Sequence, residues 1–275
     1  MTGYFVYDVF AEQRFGGNQL AVIPQAAGLA ESDLHAIARE FNFSETVFLF
    51  PPAHPDHSAR MRIFAPGREL PFAGHPTIGA AVALADLGHG PDMVLELGIG
   101  PLAAQAQEGR ASFTTVAPLE RLGSPAPALV ARALGIAPER IASPPVMASL
   151  GLGFAFVEID SRDTLAALAP DPGAIREAAA RHPQAPGFHL YPWVGTDAAI
   201  HARMFAPLDG IAEDPATGSA AAALGAVLAE TRGRFAGTIH QGDDMGRPSR
   251  IGIEAVPGRV TVSGQAVRVM EGRLV

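Results

Sequence analysis

Cysteine and lysine are both absent from the 275-residue sequence, so all 20 basic residues are arginine. The lack of cysteine excludes disulfides, cysteine-ligated zinc and thiol catalysis. The lack of lysine excludes Schiff-base chemistry, and with it pyridoxal phosphate enzymes, as well as the P-loop nucleotide hydrolases.

Charge is also sparse, since charged residues make up 17% of the chain and the net charge is −8. No basic block is present that could neutralise nucleic-acid phosphates. The longest apolar run, Ala220–Ala229, is about half the length of a membrane span. The N-terminus lacks the basic and apolar regions of a signal peptide. We expect a cytoplasmic globular protein without nucleic-acid or membrane partners.

The segment Glu213–Ser219 (EDPATGS) precedes a run of small and apolar residues that extends to Glu230. Asp214 is a typical N-cap residue, and Pro215 suits the first helical position because proline has no N–H. A helix without a polar face is normally buried. The sequence therefore predicts a buried helix that is capped by Asp214 and aims its positive end at an anionic group.

An internal repeat relates the two halves of the chain. The segment Arg62–Pro66 (RIFAP) recurs 141 residues later as Arg203–Pro207 (RMFAP). The same shift relates a helical and a strand pattern, namely 33–42 with 174–183 and 47–50 with 188–191. After a gap of two residues, His75-Pro76 corresponds to Asp214-Pro215. The repeat predicts that each half contains a buried Ala-rich helix that begins with a polar residue and a proline.

The mixture of strands with one central helix per half predicts the α+β class, with two pseudo-symmetric lobes whose strands wrap around that helix. We predict an N-terminal lobe at 1–118 and a C-terminal lobe at 119–264. The last strand, about 265–275, is a candidate to return to the first lobe. Prolines concentrate at the join, between Ala117 and Ala128.

Two halves related by a pseudo-twofold axis predict a ligand site in the cleft between them. If both helices begin there, His75 and Asp214 face each other. Glu45 corresponds to Pro186, so only the first half carries a carboxylate at that position. One acid–base group beside two positive helix ends is the set of groups that a proton shift requires.

Each of these residues also has a purely structural interpretation. Asp214 and His75 could be only helix caps, Glu45 a solvated residue at a helix exit, and Ser219 merely small enough for close packing. No dinucleotide fingerprint follows a strand. The sequence predicts no metal site and no cofactor.

Three motifs resemble the PhzF family, the phenazine-biosynthesis isomerase-like proteins: Asn42–Thr46 (NFSET), Leu70–Pro76 (LPFAGHP) and Glu213–Ala220 (EDPATGSA). The segments Asp8–Val22 and Gln241–Ser249 also fit this pattern, so the resemblance covers essentially the whole chain. It implies the diaminopimelate epimerase fold, in which each lobe is a curved, mostly antiparallel sheet around a central helix. It also implies a homodimer.

The resemblance assigns the general acid/base role to Glu45, with His75 and Asp214 as further catalytic residues. Epimerases of this fold use two cysteines at the places of His75 and Asp214, so two-base cysteine racemisation is lost here. Six residues are implied to bind the substrate: Asn18, Gly74, Gly218, Ser219, Gln241 and Gly242.

We therefore expect a cofactor-independent isomerase that moves a proton on a small carboxylate-bearing substrate. Partial burial of Glu45 would raise its pKa toward neutrality, and helix-end amides would stabilise the developing oxyanion. Two alternatives stay open: a non-catalytic small-molecule binding protein of the same fold, and a lyase or hydratase that uses the same base.

Overall fold

The computed structural model describes residues 1–196 and 198–275. Its strands are β1 (Thr2–Val9), β2 (Asn18–Ile23), β3 (Glu45–Phe50), β4 (Ala59–Ala65), β5 (Arg68–Leu70), β6 (Asp92–Leu97), β7 (Gly100–Gln107), β8 (Arg110–Thr115), β9 (Glu120–Gly123), β10 (Val146–Ser149), β11 (Gly153–Glu158), β12 (His189–Gly195), β13 (Ala199–Ala202), β14 (Phe235–Gln241), β15 (Ser249–Val256) and β16 (Arg259–Leu274). Its α-helices are α1 (Glu31–Phe41), α2 (Gly74–Asp86), α3 (Pro127–Leu134), α4 (Arg162–Ala166), α5 (Pro172–Arg181) and α6 (Gly218–Arg232). The sheets are mixed, because both antiparallel and parallel neighbours occur.

The chain divides into two compact units. Unit 1 comprises residues 1–115 and 261–275, and unit 2 comprises residues 116–260. In unit 1 the strand order is β1-β2-β3-β4-β6-β7-β8-β16, and β16 pairs again with β1. The strand order of unit 1 therefore closes on itself.

Helix α2 is the buried helix of unit 1. Its residues 74–84 are all buried, and it contacts strands β1, β2, β3, β7 and β8. Small residues allow this close packing: a Cβ on Gly79 would lie 2.4 Å from Cδ2 of Leu20. A helix with apolar residues on every side is stable only inside such an enclosure.

Unit 2 has the strand order β9-β10-β11-β12-β13-β14-β15. Its buried helix is α6, which contacts β10, β11, β14 and β15. A Cβ on Gly225 would lie 2.5 Å from Cγ2 of Ile253, so glycine again permits close helix–strand packing. The two buried Ala-rich helices predicted from the sequence are thus confirmed.

Both units contain the same succession of strand pairs. In unit 1, the strand pairs from β1 to β7 are alternately antiparallel and parallel. Helix α1 follows β2, the first strand of the parallel pair β2–β3, and α2 comes after β4, the first strand of the parallel pair β4–β6. The pairs from β10 to β15 of unit 2 alternate in the same way, with α5 and α6 in the corresponding places.

The repeat is imperfect at Arg203–Pro207. The first copy lies at the end of β4, whereas β13 ends at Ala202 and the second copy forms only isolated bridges, Leu190 with Phe205 and Ala206 with Ile211. The side chain of Arg203 instead binds Glu213 and three backbone carbonyls around α4.

None of the helices within residues 1–196 and 198–275 combines the length and the apolar character that a membrane span needs.

Candidate active site

Glu45 is the first residue of β3 and lies beside Leu20 in the parallel pairing of β2 with β3. Asn18, the first residue of β2, is buried, and its Oδ1 accepts a hydrogen bond of 3.0 Å from the hydroxyl of Ser44. This bond ties the residue immediately before Glu45 to the neighbouring strand. The Glu45 side chain is only 16% exposed, so the interpretation of Glu45 as a solvated helix-exit residue is wrong.

His75 contacts Glu45 within unit 1. Its Nδ1 lies 3.5 Å from Oε2 of Glu45, and its side chain is 5% exposed. Burial lowers the pKa of His75 to about 3, and a hydrogen bond with the backbone of Gln19 opposes that shift only in part. At neutral pH the ring is therefore uncharged, and the contact joins a carboxyl group to a neutral imidazole rather than forming a salt bridge.

The start of α2 differs from the predicted cap. The N-cap residue is Ala73 and the first helical residue is Gly74, so His75 lies inside the first turn and does not cap the helix. The hydroxyl of Thr77 donates a hydrogen bond of 2.8 Å to the carbonyl of Ala73. The N–H groups of Gly74 and His75 have no acceptor within the helix, as is general for a first turn.

Asp214 does not cap a helix either, which corrects the prediction that the helix begins at Asp214-Pro215. Helix α6 begins at Gly218 with Thr217 as N-cap, and Ser219 is its second residue. The N–H of Asp214 donates to the carbonyl of Met204 (3.0 Å), and its Oδ2 accepts a hydrogen bond from the Thr217 hydroxyl. The residues from Asp214 to Thr217 thus form a non-helical segment, which we call the Asp214–Thr217 segment.

Gln241, the last residue of β14, explains why this segment does not join the helix. Its side chain is fully buried. Its Nε2 donates to the carbonyl of Asp214 (2.8 Å) and to the Thr217 hydroxyl (2.9 Å). Its Oε1 accepts from the Tyr191 hydroxyl (2.9 Å) and from the N–H of Thr217 (3.3 Å). The N–H and carbonyl groups that a helix would use are therefore satisfied by one amide.

Gly242 and Ser249 hold the same segment from the other side. Gly242 has φ +76°, and a Cβ there would lie 2.3 Å from the carbonyl oxygen of Arg247 and 2.7 Å from that of Pro215. The Ser249 hydroxyl donates to the carbonyl of Pro215 at 2.7 Å. Glycine at position 242 thus lets two backbone turns approach each other.

The structure therefore assembles the predicted residues into two groups, each within one unit. In unit 1, the side chains of Glu45 and His75 are in contact, Asn18 is tied to the residue before Glu45, and Gly74 begins α2. In unit 2, Gln241 and Gly242 hold the Asp214–Thr217 segment, and Gly218 and Ser219 begin α6.

The lowered pKa of His75 predicts acid sensitivity. The unfolded state binds a proton at this residue below pH about 6.5, whereas the folded state does so only near pH 3. Stability from this residue is thus complete above pH 6.5 and is lost as the pH falls toward 3. We expect a loss of about 2 kcal/mol between pH 7.5 and pH 5.

Urea unfolding of the wild type and of His75→Asn at these two pH values measures this contribution. His75→Asn should show the smaller loss on acidification, and the control His54→Asn, whose side chain is 56% exposed, should match the wild type. Equal losses in the wild type and His75→Asn would contradict a neutral buried imidazole.

A family model for phenazine biosynthesis-like proteins (PhzC-PhzF) matches residues 7–272. The chain belongs to the PhzF family. It is 40% identical to an uncharacterized isomerase of Mesorhizobium japonicum, with 98% of each chain covered. It is 34% identical to the trans-2,3-dihydro-3-hydroxyanthranilate isomerase of Pseudomonas aeruginosa, with 99% of each chain covered. These similarities identify it as an isomerase of that family.

Solved structures agree with this assignment at the level of the fold. A PhzF-family protein of Bacillus anthracis superposes with a TM-score of 0.88 at 23% identity, covering 100% of this chain and 99% of the other. A hydroxyproline epimerase of Agrobacterium vitis superposes with a TM-score of 0.58 at 17% identity, covering 98% and 91%. The mixed sheets and helices of this PhzF-family protein therefore have the epimerase-like fold.

The structure adds residues that sequence reasoning missed. Thr217 and Ser249 lie in segments that the sequence singles out, but their roles depend on partners far along the chain. In the sequence, Tyr191 cannot be distinguished from an ordinary core residue of a strand. In the structure, the pKa of Tyr191 is raised, mainly by burial and secondarily by the charge of Asp214. Asp8 is 2% exposed, and its Oδ2 accepts a hydrogen bond of 2.6 Å from the N–H of Phe15, in the loop before Asn18.

Proposed function

We propose that this protein is a cofactor-independent isomerase that moves a proton between carbon atoms of a small carboxylate-bearing substrate, with Glu45 as general acid and base. The contact of Glu45 with His75 carries the proposal. It places a largely buried carboxyl group 3.5 Å from a neutral imidazole, beside the first turn of a buried helix. A base that takes a proton from carbon needs groups nearby, such as this imidazole and the helix start, that stabilise the negative charge developing on the substrate.

The neutral ring of His75 supports this role in two ways. It places no positive charge beside the Glu45 carboxyl group. Its Nε2 is buried and has no hydrogen-bond partner among the described residues. In the proposal this nitrogen binds the substrate.

The helix starts provide the sites for negative charge. We assign the developing oxyanion and the substrate carboxylate to the first-turn N–H groups of α2 and α6, at Gly74, Gly218 and Ser219. Such groups favour anions because of the helix dipole and the missing intrahelical acceptors. Preorganised donors of this kind contribute about 3–4 kcal/mol each when they stabilise a transition state.

Asp214, Asn18, Gln241 and Gly242 complete the proposed set. Asp214 is assigned to hold and assist the substrate, and Gln241 and Gly242 keep the Asp214–Thr217 segment in place. The homodimer and the cytoplasmic location also stay part of this proposal.

Deuterium incorporation tests the reaction. The first compound to try is trans-2,3-dihydro-3-hydroxyanthranilate, because a relative is named for its isomerisation and the compound carries a carboxylate. A thermal-shift screen of small aromatic and amino carboxylates extends the search, since a ligand of the folded state raises the melting temperature. With a bound ligand in D₂O, we expect one C–H to exchange, as followed by proton NMR.

Two outcomes would contradict the proposal. A ligand that binds but is neither isomerised nor exchanges a C–H would indicate the alternative of a non-catalytic binding protein. A product that differs in mass from the substrate in H₂O would indicate a lyase or hydratase, because isomerisation leaves the mass unchanged.

A further inference from the structure

A cluster of two histidines and an aspartate lies on the outer surface of unit 2. His201 of β13 and His240 of β14 are partners in the parallel register of these strands. Their ring centroids are 4.8 Å apart. Ile200 and Ile239, which precede them, are fully buried, so the two rings lie on the face of the strands opposite to the core.

Asp243 provides the third group of this cluster. One donor atom each from His201, His240 and Asp243 lie within 4.8 Å of one another. Oδ2 of Asp243 is 3.7 Å from Nδ1 of His201. Oδ1 of Asp243 accepts a hydrogen bond of 3.0 Å from Arg250, so the arginine fixes the carboxylate and leaves Oδ2 on the side of His201.

The chemistry of the cluster favours a metal ion over a simple polar contact. Nδ1 of His201 is buried and has no hydrogen-bond partner among the described residues, which is costly for a polar atom. Two imidazoles and one carboxylate are the ligand types of zinc and related ions. The positive charge of Arg250 weakens cation binding, but it lies on the far oxygen of Asp243, as an outer-shell partner does.

We propose that His201, His240 and Asp243 bind one divalent transition-metal ion of the zinc class. Small side-chain rotations would bring the three donor atoms to the usual distance of about 2.0–2.2 Å from the ion, with water completing the coordination. The ion would join the ends of β13 and β14 to the turn that contains Gly242. It takes no part in the proposed proton transfer, and its role is to stiffen the support of the Asp214–Thr217 segment.

Cobalt titration tests the site. The full chain, without a histidine tag and freed of metal by a chelator, is titrated with Co²⁺ while visible absorption is recorded, and Zn²⁺ is then added in competition. We expect saturation at one equivalent and displacement by Zn²⁺. Trp193, the sole tryptophan, neighbours the residue paired with His201, so Co²⁺ should also quench its fluorescence.

Variants then locate the ion. His201→Gln and His240→Gln should each weaken Co²⁺ binding by at least about tenfold, since even outer-shell changes cost 10–100-fold. Asp243→Asn serves as a further variant if either protein fails to fold. The control is His57→Gln, because His57 and His54 also have rings 4.8 Å apart, but Nδ1 of His57 already bonds Glu96 at 2.8 Å.

The control should bind Co²⁺ like the wild type. The absence of saturable binding, or an equal loss of affinity in His57→Gln and in His201→Gln, would overturn the proposal. Neither result bears on Glu45, so the metal site and the proposed reaction can fail independently.

Discussion

Glu45→Gln is expected to lower the turnover number by about 10²–10⁴-fold while substrate affinity changes only a few-fold. Glutamine has nearly the same size and can make the same contact near Nδ1 of His75, which lies 3.5 Å from the Glu45 carboxyl oxygen. It cannot accept a proton, however. The variant should therefore lose turnover, which depends on proton transfer, and keep substrate binding, which does not.

Steady-state kinetics and a ligand-induced thermal shift, measured on the same preparation, separate these two effects. Glu254→Gln is a suitable control because this glutamate is exposed on strand β15 and is paired with Ala236, which is not a site residue. Deuterium exchange should disappear in Glu45→Gln and persist in Glu254→Gln. Full activity of Glu45→Gln on an identified substrate would show that Glu45 is not the general acid/base and that another group has this role.

Arg203→Met is expected to destabilise the protein by about 3–5 kcal/mol, the usual cost of breaking a buried ion pair. Arg203 is 11% exposed and makes a bidentate pair with Glu213, with N–O distances of 2.8 and 2.7 Å. Its NH1 also donates to the carbonyls of Leu165, Ala166 and Leu168. Methionine preserves much of the packing on Phe205, over whose ring the guanidinium of Arg203 lies, but it removes the hydrogen-bond donor that Arg203 supplies to one carboxylate and three carbonyls.

The internal repeat supplies the control, Arg62→Met. Arg62 also stacks on a phenylalanine two residues later and also binds glutamates, but its partners Glu31 and Glu69 are 75% and 42% exposed. Exposed ion pairs contribute at most about 1 kcal/mol each, so this variant should cost much less.

Urea midpoints of the two variants and the wild type provide the measurement. Equal destabilisation by Arg203→Met and Arg62→Met would show that the burial of Arg203 and its carbonyl contacts contribute nothing beyond a surface ion pair.

Local patterns predicted the elements well where the signal was itself local. The helical pattern at 33–42 corresponds to α1 (Glu31–Phe41), and the strand pattern at 47–50 lies within β3 (Glu45–Phe50). The apolar run after Ser219 predicted that α6 is buried, because a helix without a polar face must be enclosed.

The start of α6 could not be predicted in this way. The residue types of Asp214 and Pro215 favour a cap and a first helical turn. That local preference is overridden by the amide of Gln241, which lies 27 residues farther along the chain. The neutral state of His75 is likewise set by its enclosure, which involves strands distant in sequence, and no pattern around position 75 encodes it.

The return of the last strand to unit 1 has a consequence for biosynthesis. Strands β1 and β8 each have β16 as a neighbour, and the pairing partners of β1 lie at residues 266–274. Residues 1–115 therefore leave the ribosome as an incomplete ring with two unpaired sheet edges. Unit 2 is continuous in sequence and is fully synthesised first, so the half that carries Glu45 is the last to be completed, although it is translated first.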